Sequence, residues 1–286
     1  KKNESIYYNF ALDKINRNQK KVIWIHAASG GEFEQVIPFL EAIDKSNYFV
    51  LLTFMSPTIF NIQKDTDLAD TVLYHPFDFY WKAKRFISDF KPNYYILNRH
   101  DIWPNHIQIA KDMGVKIAII NFNIHLKSSR YLWLFKGFNK YIFNQFDKIY
   151  TGTDRLKSAI SHFVNKDKIQ VTGDTRFNRV LERRENSLSN LLPEKFSTSK
   201  NIILGSIIES DYDIGFNGLN EKYPNGEKDL LKENIGLIIT PHETDKATIT
   251  EIEQRLQNNN IHYQLYSKWK SGKVNLNCST IIIDTV

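Results

Sequence analysis

The chain has 286 residues, 42% of them hydrophobic and 13% aromatic, with Lys+Arg 38 against Asp+Glu 32 and a formal net charge of +6. That length suits about two ordinary domains and can bury a core without a disulfide or metal staple, and the composition excludes wholesale disorder. A single cysteine, Cys278, excludes a disulfide framework and a cysteine-rich zinc site, and no run of about 18 apolar residues marks a membrane span.

Short β-rich apolar runs alternate with amphipathic stretches, which predicts βαβ units and a parallel sheet. The spacing predicts a strand over 22–27 and a helix over 32–44, then a strand at 48–54 and a helix from Pro57. A strand at 71–74 and a helix over 80–90 follow. Strands at 93–98 and 115–121 flank a helix from Pro104, where proline suits the first helical position. The aromatic stretch 129–146 reads as a helix, followed by a strand at 147–151, a helix over 154–163 and a strand at 168–172. The polar run 184–200 reads as a linker between a first domain, 1–183, and a second, 201–286. There, strands are expected at 201–205, 236–240, 261–266 and 280–285, and a helix over 244–258. The stretch 212–234 is rich in Gly and Asn and reads mostly as loop. The chain lacks a starting Met and ends on a strand pattern, so a fragment is expected at one or both ends. Two βα halves predict two facing sheets with ligands at the carboxyl ends of the strands.

Candidate chemistry sits at those strand ends. Ser29-Gly30-Gly31-Glu32 follows the first strand and opens a helix. The glycines permit a tight turn, and the helix N-terminus offers unpaired N–H groups to an anion. Glu32 has two readings there: a helix-cap carboxylate, or a general base at the mouth of a cleft. Ser56 precedes Pro57 as a plain cap or a ligand contact. Arg99 either clamps an anionic group or pairs locally with Asp101. Arg176, within the turn 173–177, lies where the chain shapes a hinge or a cleft floor. In the second half Gly205-Ser206 and Pro241-His242-Glu243 end strands, and His242 reads either as structural or as a contact for a phosphate, base or ribose. His26, inside the first strand, reads as structural. No Walker loop, G-x-S-x-G motif or metal-ligand spacing occurs, so neither metal nor cofactor is expected. The charge fits a phosphate-bearing partner or an anionic membrane surface, and no nucleic-acid motif accompanies it.

As a set, the blocks IHAASGGEFEQ (25–35), LLTFMSPT (51–58), HPFD (75–78), AKRFI (83–87), IWPN (102–105), VTGDTRFNRV (171–180), ILGS (203–206), ITPHE (239–243) and IIIDTV (281–286) are distinctive. In this order, over nearly the whole chain, the sequence resembles the 3-deoxy-D-manno-octulosonic acid (Kdo) transferases of lipid A and lipopolysaccharide core assembly. The resemblance implies an α/β protein of the GT-B type, two Rossmann-like domains facing across a cleft, the second incomplete here. It implies inverting, metal-independent transfer of Kdo from CMP-Kdo to a lipid A precursor at the cytoplasmic face of the inner membrane. It places the base on Glu32 and the CMP side on Ser206, Pro241, His242 and Glu243. Ser29, Gly30, Gly31, Ser56, Arg99 and Arg176 are then the candidates for the acceptor side.

Departures accompany the match. Gly31 stands where the family has a larger apolar residue, Asp101 shortens the family's acid, and Ile207-Ile208 replace a Thr-Trp pair. Family members also begin with a hydrophobic anchor and continue past IIIDTV into a glycine-rich turn and an Asn-x-x-Glu-Pro segment. The fragment is therefore expected to be inactive alone. Two further expectations stay open: a non-catalytic homologue that binds lipid or a partner, and a GT-B enzyme using another nucleotide sugar.

Overall fold

A computed structural model of the chain describes residues 2–124, 133–186, 191–272 and 278–285. They belong to two compact units, Lys1–Asn186 and Ser187–Val286.

In the first unit the order is α1 (Lys2–Asn16), β1 (Lys21–Ala27), α2 (Gly30–Glu41), β2 (Tyr48–Phe54), α3 (Pro57–Gln63), β3 (Thr71–Tyr74), α4 (Tyr80–Phe90) and β4 (Tyr94–Asn98). It continues with α5 (Pro104–Asp112), β5 (Lys116–Phe122), α6 (Trp133–Gln145), β6 (Lys148–Thr151), α7 (Asp154–Ile160), β7 (Ile169–Val171) and α8 (Arg176–Asn186). The strands form one parallel sheet in the order β3-β2-β1-β4-β5-β6-β7. Alternate residues of each strand enter opposite cores. Ile23, Ile25, Val50, Leu52 and Phe54 share a core with Phe33, Val36 and Leu40 of α2 and Phe60 of α3. Trp24, Leu51, Tyr95 and Leu97 share the other with Phe86 and Phe90 of α4 and Ile107 of α5. Each such buried side chain contributes about 1.5–3 kcal/mol. The chain winds one way from β1 to β3 and the other way from β4 to β7, so the switch in strand order falls between β1 and β4. Right-handed crossovers put helices on opposite faces at such a switch and leave a crevice at the carboxyl ends of the two strands.

The reading of the sequence assigns nothing before residue 22, yet α1 is a helix. Its periodicity is weak because apolar residues surround it, and packing decides it. Tyr7 meets Phe60 edge-on, Tyr8 packs on Phe86 and Phe90, and the Tyr8 hydroxyl donates to Asp89 Oδ2 at 2.7 Å. The predicted helix over 129–146 is seen as α6; residues 129–132 lie outside the described residues.

The second unit contains α9 (Lys195–Thr198), β8 (Lys200–Ile207), α10 (Glu209–Lys222), α11 (Glu227–Lys232), β9 (Ile235–Pro241), α12 (Lys246–Asn258), β10 (Tyr263–Leu265), α13 (Tyr266–Lys270) and β11 (Thr280–Ile282). Its sheet is parallel in the order β10-β11-β9-β8. Three expectations meet a different structure here. The stretch 212–234 holds most of α10 and all of α11 rather than a loop. Tyr212, Phe216, Leu219 and Tyr223 recur at helical spacing and are buried on the sheet, which outweighs the cost of about 1 kcal/mol per glycine at Gly215 and Gly218. The expected linker 184–200 is partly structured: α8 runs to Asn186, and Phe196 of α9 is buried with Ile238 and Ile281. The expected strand 261–266 shortens to β10 with α13 behind it, and Asp284 holds that turn by accepting from the Ser267 N–H at 2.8 Å.

Gly226, at the start of α11, has φ 58 and ψ −125, a conformation open to glycine. A Cβ there would strike the carbonyl oxygens of Asn259 and Asn260. Gly226→Ala is therefore expected to destabilise the second unit by about 1–3 kcal/mol. The readout is a lower urea midpoint, and an unchanged midpoint would show that the turn can relax.

Candidate active site

The site is built at the β1–β4 switch of the first unit. β1 ends at Ala27, and Ser29 becomes the N-cap of α2, its Oγ accepting from the Glu32 N–H at 3.4 Å. The Glu32 carboxylate turns back and accepts from the Ala28 N–H at 2.7 Å. A Ser-x-x-Glu sequence favours such reciprocal capping, with the donor here one residue before the cap. The cap and base readings of Glu32 are therefore compatible, since the capping bond occupies one carboxylate oxygen. Gly30 and Gly31 carry ordinary backbone angles and a Cβ would fit at either, so the turn itself does not require glycine there. The Ser56 N–H donates to the Ala28 carbonyl at 3.1 Å, which ties the start of α3 to the same turn. Its hydroxyl makes no capping bond to α3, against the plain-cap reading.

From β4, Asn98 and Arg99 approach α2. Asn98 donates to Gln35 Oε1 at 2.9 Å and to the Glu32 carbonyl at 3.3 Å. Asn121, at the end of β5, donates to Asn98 Oδ1 at 3.0 Å, and its own oxygen accepts from the Thr175 N–H at 3.1 Å. Thr175 Oγ1 donates to the Gln35 carbonyl at 2.6 Å. This buried chain of amides locks α2 to two strand ends and to the segment before α8, and every link finds a partner, as burial of polar groups requires. Arg99 and Asn121 both lie in the left-handed region, at φ 53 and φ 52. Asparagine tolerates it; for arginine it is a strained position of the kind found at functional sites.

Asp101 does not pair with Arg99 among the described residues. It lies with Oδ2 2.6 Å from His26 Nε2. His26 Nδ1 lies 3.0 Å from both the carbonyl and hydroxyl oxygens of Thr53 on β2. His26 is thus structural, as its place in β1 suggests, and it also positions a second carboxylate beside Glu32. Arg99 Nε is buried without a hydrogen-bond partner among the described residues. Arg176 differs: its guanidinium grips Asp174 with Nε at 3.1 Å from Oδ1 and a terminal nitrogen at 2.7 Å from Oδ2. Its guanidinium is thus already paired with a carboxylate.

Burial pushes the Glu32 pKa above the ordinary carboxylate value. The negative charge of Asp101 adds to the rise, while the Ala28 N–H, His26 and Arg99 oppose it. A carboxylate so placed holds a proton more readily than a free one and suits proton abstraction from a hydroxyl.

In the second unit, Ser206 is the bulged residue where β8 loses register with β9, and it too is left-handed, at φ 56. The bulge aims Ser206 Oγ to 3.0 Å from His242 Nδ1. The His242 N–H donates to the Ile207 carbonyl at 3.0 Å. Pro241 is buried as the last residue of β9, and Glu243 is exposed beside His242. Ile207 faces the core, and the Ile208 N–H is held by Asp211 Oδ2 at 3.1 Å. The candidates therefore gather in two sets, one in each unit. Among the described residues no group of His, Cys, Asp and Glu is arranged to hold a metal ion, and no helix is long and apolar enough to cross a membrane.

Residues 5–179 match the family model described as 3-deoxy-D-manno-octulosonic-acid transferase (kdotransferase). The chain belongs to this family. A Kdo transferase of Chlamydia pneumoniae is 26% identical over 279 residues, 93% of this chain and 60% of its own length. One from Aquifex aeolicus is 33% identical over 96 residues, 33% of this chain and 27% of its own. The chain thus spans 60% of the length of the Chlamydia relative. Among solved structures it is similar to the UDP-GlcNAc 2-epimerase of Methanocaldococcus jannaschii, with TM-score 0.60 and 14% identity over 93% of this chain and 73% of that one. A glycosyltransferase from Rickettsia africae gives TM-score 0.53 at 10% identity, over 93% of this chain and 68% of that one. With the parallel sheets, these likenesses show the α/β fold of the GT-B type.

What the sequence reading of this Kdo transferase family member missed is the second layer of the site: Asn98, Asn121, Gln35 and the His26–Asp101 contact. Asn98 and Asn121 each end an apolar strand run, a signal available in the sequence. Behind them lies a buried ring stack. His75 sits between His26 and His106, with ring centroids 3.9 and 4.6 Å away, and its Nε2 is 3.1 Å from the Tyr95 hydroxyl. Burial pushes the His75 pKa well below the usual histidine value, reinforced by the neighbouring imidazoles. A base with a lowered folded pKa takes up its proton only on unfolding. Its neutral form costs nothing above the unfolded pKa near 6.5, and stability falls as pH drops below that value. Urea unfolding at about pH 5.5 should show a loss of about 1 kcal/mol from this residue relative to neutral pH. His75→Gln should flatten that slope; an unchanged slope would assign it elsewhere.

Proposed function

We propose that this chain carries the acceptor side and part of the donor side of an inverting Kdo transferase that moves Kdo from CMP-Kdo to a lipid A precursor. The observation that carries the reading is Glu32: a desolvated carboxylate at a strand-order switch, held by one backbone N–H and flanked by Asp101. In this reading the Glu32 carboxylate takes the proton of the acceptor hydroxyl as that oxygen attacks the anomeric carbon of Kdo from the face opposite CMP. The new glycosidic C–O bond forms as the bond to the CMP phosphate oxygen breaks, and the electron pair leaves with CMP. Arg99, whose Nε has no hydrogen-bond partner among the described residues, offers positive charge to anionic groups of the substrates in the first unit. Ser206 and His242 offer paired polar atoms to the nucleotide monophosphate in the second. In this reading no step calls for a metal, and transfer runs at the cytoplasmic face of the inner membrane, where the basic chain meets anionic lipid.

The test is transfer to a lipid A precursor from CMP-Kdo, run beside a panel of UDP-sugars, with the 286-residue chain and any longer polypeptide that carries it. Transfer from CMP-Kdo alone supports the reading. Transfer only from a UDP-sugar overturns the donor, and no calorimetric binding of CMP at millimolar concentration favours a non-catalytic homologue.

A further inference from the structure

Helix α2 carries Glu32 in its first turn and Pro38 in its interior. Proline has no N–H, so Pro38 donates nothing to the carbonyl of Glu34, four residues back, and its ring crowds that oxygen. The hydrogen-bond ladder of α2 is therefore interrupted next to the turn that bears Glu32. That turn must nevertheless hold its carboxylate closely in place if it is to take a proton from a bound hydroxyl.

What holds it comes from elsewhere in the chain. Thr175, 140 positions beyond Gln35, donates its hydroxyl to the Gln35 carbonyl at 2.6 Å. The Thr175 N–H donates to Asn121 Oδ1 at 3.1 Å, and through Asn98 the same chain reaches the Gln35 side chain and the Glu32 carbonyl. Within α8, Arg179 Nε lies 3.2 Å from Glu34 Oε2, and a terminal nitrogen of Arg183 lies 2.7 Å from the same oxygen. Residues 32, 34 and 35 are thus tied down beside the interruption, from α8 and the segment that leads into it. The tie is polar: the apolar residues of α8, Phe177, Val180 and Leu181, stay exposed, so the helix does not hold α2 by burying an apolar stripe of its own. A hydrogen-bonded chain in which every member is satisfied specifies one arrangement, where apolar contact would allow several.

We propose that Thr175, Arg179 and Arg183 are positioning residues that splint the Glu32 turn across the interruption at Pro38, acting through Gln35 and Glu34. This rests on the base role of Glu32 in the reading above, but its first test needs no transfer activity. Glutamate carboxyl carbons are labelled with ¹³C in the 286-residue chain and the titration of Glu32 is followed by NMR, its signal identified by its loss in Glu32→Gln. The titratable and charged groups that act on Glu32, namely Asp101, His26 and Arg99, stay in place in every variant. Thr175→Val removes the hydroxyl and little volume. With the turn released toward water, the Glu32 midpoint should fall toward the ordinary value of about 4.3. Thr175→Ser keeps the hydroxyl and should titrate as the wild type does. Arg179→Met with Arg183→Met carries the test if Thr175→Val does not fold. Loss of two positive charges would by itself raise the midpoint, whereas release of the turn lowers it. Pro38→Ala restores the missing donor and should shrink the effect of Thr175→Val. In a transfer-competent polypeptide that carries this chain, Thr175→Val should lower kcat by about tenfold to a hundredfold with KM nearly unchanged. A wild-type midpoint in folded Thr175→Val, or a raised one in the arginine pair, would overturn the proposal. A midpoint that falls while no polypeptide transfers Kdo would support the splint and count against the enzymatic reading alone.

Discussion

On the proposed reading, Glu32→Gln in a transfer-competent polypeptide that carries this chain is expected to lower Kdo transfer by about 10²–10⁴-fold, the range lost when a positioned general base is removed. Glutamine keeps the shape of the side chain and an oxygen to accept the Ala28 N–H, so the turn and α2 should survive. What it cannot do is take a proton. The same substitution should stabilise the fold at neutral pH. The Glu32 pKa is raised in the folded state, mainly by burial, so ionising it costs more there than in the unfolded chain. That cost is absent below the unfolded carboxylate pKa, grows as pH rises through the raised folded pKa, and is complete above it. Glu32→Gln should therefore raise the thermal midpoint at neutral pH and leave it nearly unchanged near pH 4. In the wild type the acid limb of kcat/KM should lie above the ordinary glutamate value of about 4.3. Near wild-type transfer by the variant would remove the base role, and a thermal midpoint lowered at neutral pH would show that the carboxylate is held for stability instead.

Trp24→Ala is expected to cost about 3–5 kcal/mol, the range for deleting a large buried aromatic side chain. Trp24 is fully buried at the centre of the sheet. It stacks on Tyr95 at 3.8 Å with planes 12° apart, packs on Phe86 at 4.8 Å and lies 5.4 Å from His75. Its indole N–H donates to Thr53 Oγ1 at 2.9 Å. Thr53 in turn contacts His26, and His26 faces Asp101, so the cavity opens directly behind the site. Trp24→Phe keeps most of the ring contact and gives up the hydrogen bond, for a milder loss of about 1–3 kcal/mol. Urea unfolding of the two variants separates packing from hydrogen bonding; equal losses would refute the stacking account.

The strands of the first unit were legible because buried parallel strands read as short apolar runs between turn signals, as VIWIHA and YFVLLTF do. The turn at Glu32 was legible because Ser29, the glycines and Glu32 are contiguous, and local capping chemistry acts over that distance. Helix α10 was not legible. Its glycines argue locally against a helix, and only burial of Tyr212, Phe216 and Leu219 reverses the balance. Arg99 and Arg176 illustrate the same limit at the site. Arg99 could clamp an anion or pair with Asp101, and only the fold turns Asp101 to His26 and away from Arg99; Arg176, placed among the acceptor-side candidates, is found bound to Asp174. Residue types two positions apart do not say which of them fold toward each other.

By itself, then, the sequence determined the alternation of strands and helices, the Glu32 turn and, through the order of its motifs, the Kdo transferase family. These depend on neighbours in the chain or on patterns carried by it. Only the tertiary structure decided that β1 and β4 are adjacent, and so that Glu32, His26, Asn98, Arg99 and Asp101 share one crevice. It also decided that Thr175 and Arg179 reach back to α2. The reason is the same in both cases: strand order and packing bring together residues separated by dozens of positions, and burial, not local propensity, sets which side chain meets water.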